Sequence, residues 1–152
     1  MQEMGSRVGL FFSCVAVALL TGAVPGVGME AQQSPSVIEL RCPQDVTRPE
    51  ALCQSLAGTL KRWSPSSVVR TVQEGQGLRL RAGDLRVFLH VDAMTDDSLT
   101  AHLEWQVGEF GKVHKGPKVE FSVMDIELRP ALFDQFADGL VKANPAFVET
   151  LP

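Results

Sequence analysis

Leu85, Val87, Leu89, Val91 and Ala93 hold every odd position of one stretch, and Leu99, Ala101, Leu103, Trp105 and Val107 hold every odd position of the next. Between them lies the polar run Met94-Thr95-Asp96-Asp97-Ser98. An apolar period of two suits extended backbone, whose side chains point alternately to opposite faces. Two such runs around a short polar connection predict a β-hairpin with one face buried. A loop centred on Asp96 sets Val91 opposite Ala101, Leu89 opposite Leu103 and His90 opposite His102. A shift of two residues would keep the same phase, so the pattern narrows the register without fixing it. The rest of the chain must cover the apolar face of this hairpin.

The first residues have a different purpose. Arg7 and the amino terminus give a positive start, and Val8 to Leu20 is apolar apart from Gly9 and Ser13. That length suits a secretory leader and falls short of the roughly 20 apolar residues of a spanning helix. Residues 1–31 are therefore expected to form a signal peptide, cleaved somewhere between residues 23 and 31, with a short linker to residue 36. An uncleaved anchor is the alternative. The expected destination is the periplasm or the exterior, with no membrane insertion beyond the leader. Net charge is −4 for the whole chain, and losing Glu3, Arg7 and Glu30 with the leader leaves −3. Such a surface argues against nucleic acid and anionic membranes, which both select basic patches.

Export gives the cysteines a meaning. Cys14 lies within the leader, and Cys42 and Cys53 remain. Two cysteines in an oxidising compartment predict one disulfide. Redox motifs place them two apart and metal pairs two to four apart, whereas these are separated by eleven.

Taken in order, Val37 to Cys42 alternates as a first strand, and Thr47 with Glu50 forms a capping-box pattern opening a helix. Leu52, Cys53, Leu56, Leu60 and Trp63 share one side of that helix, which Ser64-Pro65 ends. Val68 to Val72 reads as a strand, Leu78 to Ala82 as a short strand or extended loop, and Gly108 to Pro117 as a loosely constrained connection. Lys118 to Met124 alternates again. Pro130 opens a last helix with Leu132, Phe133, Phe136, Leu140 and Val141 on one stripe, and Ala143-Asn144-Pro145 stops it. The expected fold class is α+β: a mainly antiparallel sheet of about five strands with two helices packed on one face. The domain spans residues 37–145, and residues 146–152 form a loose tail.

Signatures of catalysis are sparse. The chain has no Gly-x-Ser-x-Gly, no phosphate-cradling glycine loop and no His-Glu-x-x-His, and no cysteine is left free in the domain. The acids Asp125 and Glu127 flank the last strand with nothing to place them across a cleft. Two constellations stand out. Arg79, Arg81 and Arg86 alternate with apolar neighbours and could share a sheet face as an anion site; the alternative is a solvated face that blunts a sheet edge. His90 and His102, directly opposed, bring their Cβ atoms to roughly 4.5–5.5 Å. Asp92 and Glu104 lie diagonally beside them, which would complete a histidine–carboxylate set for zinc or copper. Phe88 and Met124 fall on the polar phase and could seed a contact patch. The function expected is that of a small exported binding or envelope accessory domain, not an enzyme, with an exported protein or envelope component as partner. The alternative is an exported metal-binding protein or hydrolase using the His90/His102 face.

Overall fold

The computed structural model describes residues 34–152 except residue 74, so the expected leader and its cleavage site lie outside the described residues. Six strands, β1 (Val37–Arg41), β2 (Val68–Val72), β3 (Leu85–Met94), β4 (Ser98–Val107), β5 (Val113–Lys115) and β6 (Val119–Ser122), make one sheet. The helices are α1 (Pro49–Trp63), α2 (Pro130–Lys142) and the single-turn α3 (Pro145–Val148). The strand order is β2-β1-β3-β4-β5, with β6 also paired to β4.

The class is α+β, and the sheet is mixed: it is not purely antiparallel. β1 lies between β2 and β3 and runs parallel to both. β4 forms antiparallel ladders with β3, β5 and β6. Alternation reports that a strand has one covered face and is silent on the direction of its neighbour. Direction follows from the connections, because parallel neighbours need a long crossover. Helix α1 is the crossover from β1 to β2, and residues 73–84 are the crossover from β2 to β3.

The described residues of the second crossover contain no helix, and the crossover passes over β1. Its backbone must find partners there, and Glu39 on β1 supplies one: the Leu78 N–H donates to the Glu39 carboxylate at 2.6 Å. Arg86 returns a hydrogen bond to the Leu78 carbonyl at 2.8 Å. Leu78 to Ala82 is therefore an extended loop and not a strand. On the opposite phase of the sheet, Ile38, Leu40, Leu85, Val87, Leu89, Leu99, Ala101 and Leu103 join one core with Leu52, Leu56 and Leu60 of α1 and Phe133, Phe136 and Leu140 of α2.

Several local expectations are corrected. Thr47 does not cap α1: Arg48 is the N-cap, at φ 58°, with no side-chain cap, and Pro49 occupies the first turn. Proline suits that position because its missing N–H would be unpaired there anyway. Trp63 lies 37% exposed at the end of α1, its indole N–H donating to Asp138 on α2 at 3.4 Å. Residues 146–152 are not loose. Phe147 is fully buried with its ring edge-on to Trp105, Val148 and Leu151 pack against the core, and the Ser64 hydroxyl donates to the Pro152 carbonyl. Apolar residues at 147, 148 and 151 recur at helical spacing, which is what docks so short a turn. The expected disulfide is present: Cys42 and Cys53 are joined with their Cα atoms 5.9 Å apart, tying the end of β1 to α1.

Candidate functional site

The β3–β4 hairpin pairs Val91 with Ala101, His90 with His102 and Leu89 with Leu103. Beyond Val91 the ladder slips by one residue, so that Ala93 pairs with Thr100 and Met94 with Leu99. Asp92 is the extra residue of this β-bulge. The slip reverses the phase at the end of β3: Met94 packs on the core and Ala93 is exposed, opposite to the expectation from simple alternation. A bulge also re-aims the side chain it carries. Here the Asp92 carboxylate meets Nδ1 of His102 at 2.7 Å.

Four side chains meet on this face. His102 is 5% exposed and His90 is exposed, with their rings stacked 5.0 Å apart and 15° from parallel. Glu104 reaches between them, its carboxylate 3.3 Å from Nε2 of His90 and 3.7 Å from Nε2 of His102. Nitrogens of His90 and His102 and an oxygen of Glu104 all lie within 4.8 Å of one another. Two lysines flank the group: Lys118 is 2.8 Å from Asp92, and Lys115, paired with Glu104 across β4 and β5, is 3.6 Å from its carboxylate. The Lys118 ammonium, and then the His102 ring, hold the Asp92 carboxyl down at about 2. An ionised carboxylate can only accept, so Nδ1 of His102 carries a proton, and Nε2 is the ring atom left facing Glu104.

Both lysines come from the Gly108–Pro117 connection and its exit, the region expected to be least constrained. It contains β5, and the Gly116 N–H donates to the Leu103 carbonyl. The lysines and histidine clustered there (Lys112, His114, Lys115 and Lys118) were the available signal. On the other side of His90, an open groove of about 580 Å³ is lined by residues 41–45 and 88–91. Phe88 is one of its lining residues, its ring stacked 6.2 Å from His90 and with the Arg41 guanidinium 5.5 Å from its centre. Met124 is 89% exposed beyond the end of β6 and shares no strand face with Phe88.

The arginines are placed apart. Arg86 donates to Glu39 at 2.8 Å, and Arg81 donates to Asp84 and to the Pro35 carbonyl. Arg79 is exposed in the crossover loop. Arg81 and Arg86 each hold a buried carboxylate of the protein itself, which takes up their charge. Glu39, unremarked in the sequence, is fully buried between Arg86 and Arg41. Burial raises its pKa, but the hydrogen bonds from Arg86, Arg41 and the Leu78 amide outweigh that and leave it lowered.

These features define a small α+β domain with a mixed six-stranded sheet and a polar, histidine-bearing hairpin face. No protein-family model matches the chain, and no curated protein matches it in sequence. Among solved structures, it is similar to PelC from Paraburkholderia phytofirmans, a dodecamer, with 10% identity and a TM-score of 0.51 over 72% of this chain and 88% of that one. It also aligns with a crystal structure described only as an uncharacterized protein, with 13% identity and a TM-score of 0.45 over 77% of this chain and 92% of that one. The likeness to PelC is one of fold.

Proposed function

We propose that this chain is a small exported domain that acts by binding and not by catalysis, and that its binding face is the polar side of β3 and β4. The observation that carries this reading is the convergence of His90, His102, Glu104 and Asp92 beside an open groove. The sequence of the leader and the Cys42–Cys53 disulfide support export. Among the described residues, no helix is long and apolar enough to cross a membrane. The partner is an exported protein or envelope component, or a ligand found in that compartment.

Hydrogen exchange tests it. The purified protein is compared alone and in an extract of the exported fraction from which it was isolated. Slowed exchange across residues 88–92 and 102–104 supports the reading; unchanged exchange there, or isolation of the chain only from the cytoplasm with its leader intact, overturns it.

Self-association is a second reading, supported by two exposed apolar side chains and by a protein of similar fold. Phe110 is 97% exposed and Met124 89% exposed, and the similar fold of PelC occurs as a dodecamer. Large exposed apolar side chains are common at contact surfaces. Light scattering during gel filtration is expected to show an oligomer that Phe110→Ser and Met124→Ser dissociate; a monomer at all concentrations removes this reading.

A further inference from the structure

We propose that the binding face is a divalent-metal site of the zinc or copper class, with Nε2 of His90, Nε2 of His102 and the Glu104 carboxylate as ligands and Asp92 as the group that orients His102. The inference rests on the binding reading above and names its ligand.

Three observations support it independently. The first is the donor set. Two imidazoles and a carboxylate are the ligands of open three-ligand zinc sites, and imidazole also suits copper. The second is spacing. Ligands held ~2.1 Å from one zinc at tetrahedral angles stand about 3.4 Å apart. Nε2 of His90 is 3.3 Å from one Glu104 oxygen and Nε2 of His102 is 3.7 Å from the other, and one donor atom from each of the three residues falls within 4.8 Å of the rest. His90 is the exposed member, so a small turn of its ring closes the remaining gap without disturbing the core.

The third observation is the hydrogen bond behind the buried ligand. Metal-bound histidines usually donate their second ring N–H to a carboxylate, which fixes the tautomer and the ring direction. The bulge places Asp92 in that role on His102 at 2.7 Å. Asp92 is thus a positioning residue and not a third ligand, which revises the set expected from strand alternation. A surface pair of histidines that merely faced each other would need neither the bulge nor the buried ring.

The lysines complete the picture. Lys115 at 3.6 Å from Glu104 holds the carboxylate in the absence of metal, and a bound cation would displace it. Removing that ammonium should therefore tighten metal binding. Three protein ligands leave a fourth position for water or for a donor from a partner.

Calorimetric titration of the purified, untagged protein with Zn²⁺ and with Cu²⁺ tests the assignment. The expected result is one ion per chain. His90→Ala and Glu104→Gln should each weaken binding at least tenfold, and Asp92→Asn should weaken it by roughly 10–100-fold, as loss of an orienting carboxylate does. Lys115→Met should tighten it. The Cu²⁺ form should show two-nitrogen hyperfine structure in its electron paramagnetic resonance spectrum, reduced to one nitrogen in His90→Ala. The exposed His90 keeps the test decisive even where changes at the buried His102 impair folding. Absence of binding at millimolar metal, or a Kd unchanged in His90→Ala and Glu104→Gln, overturns the site. Repeating the exchange experiment in extract stripped by a chelator separates the two proposals. Protection that persists there, with no metal binding, leaves the binding face standing and removes the metal.

Discussion

At the scale of single residues, Glu39 shows how burial can be hidden in a pattern. It sits on the polar phase of β1, where alternation predicts a solvated side chain, yet it is fully buried. The cause is the crossover at residues 73–84, which lies over it and takes its carboxylate as an acceptor for Leu78. Nothing local to β1 announces that a distant loop will pass there. Removing one partner of a buried ion pair costs about 3–5 kcal/mol, because the other charge is left unpaired. Glu39→Ala should lose stability of that order in urea denaturation; a loss below about 1 kcal/mol, the range of exposed pairs, would show that the cluster is solvated. The folded carboxyl is held below its ordinary value of 4.5, so its contribution is complete above that pH and is lost as the pH falls through the lower folded value. Glu39→Gln should therefore flatten the acid limb of the stability profile below pH 4.5 and leave the neutral limb with no new slope.

At the scale of elements, the hairpin was the most legible part of the chain and its neighbours the least. Two in-phase runs around a loop centred on Asp96 allow the pairing of Leu89 with Leu103 and of His90 with His102 as one of the registers that keep the phase, and the structure has that pairing. The bulge at Asp92 was invisible because one inserted residue leaves both runs apolar on odd positions. It is nonetheless the feature that brings Asp92 to His102. Strand β5 was hidden by its composition, since three exposed residues between glycines carry no apolar period. The stripes of α1 and α2 were readable because Leu52, Leu56, Leu60, Phe133, Phe136 and Leu140 recur at helical spacing and are all buried. The two faces of β4 can be compared directly. Leu103 is fully buried and Glu104 is partly exposed, one residue away. Leu103→Ala should cost about 2–5 kcal/mol, as cavities in cores do. Glu104→Ala, in metal-free protein, should stay within about 0.5 kcal/mol. Equal losses in thermal denaturation would mean that the face assignment is wrong.

At the scale of the whole molecule, the parallel β1–α1–β2 unit depends on its crossover, and the disulfide sits at that crossover. Cys42 directly follows β1 and Cys53 is on α1, with the loop between them spanning a sequence separation of 11. The bond therefore fixes the chain reversal that turns β1 into α1 and sets the helix over the strands it must cover. The eleven-residue spacing and the apparent leader pointed to this pairing, whereas the parallel direction of β1 and β2 had no signature in either strand. Closing so short a loop stabilises the fold by at most about 3 kcal/mol, chiefly by restricting the unfolded chain. Cys42 and Cys53 are both largely shielded from solvent, so the bond should resist mild reductant in the folded state and yield only on unfolding. Protein isolated from the exported fraction should thus show no reactive thiol after denaturation without reductant, and two after reduction. Two thiols before reduction would remove the oxidised pairing in the cell and, with it, the main chemical support for an oxidising destination.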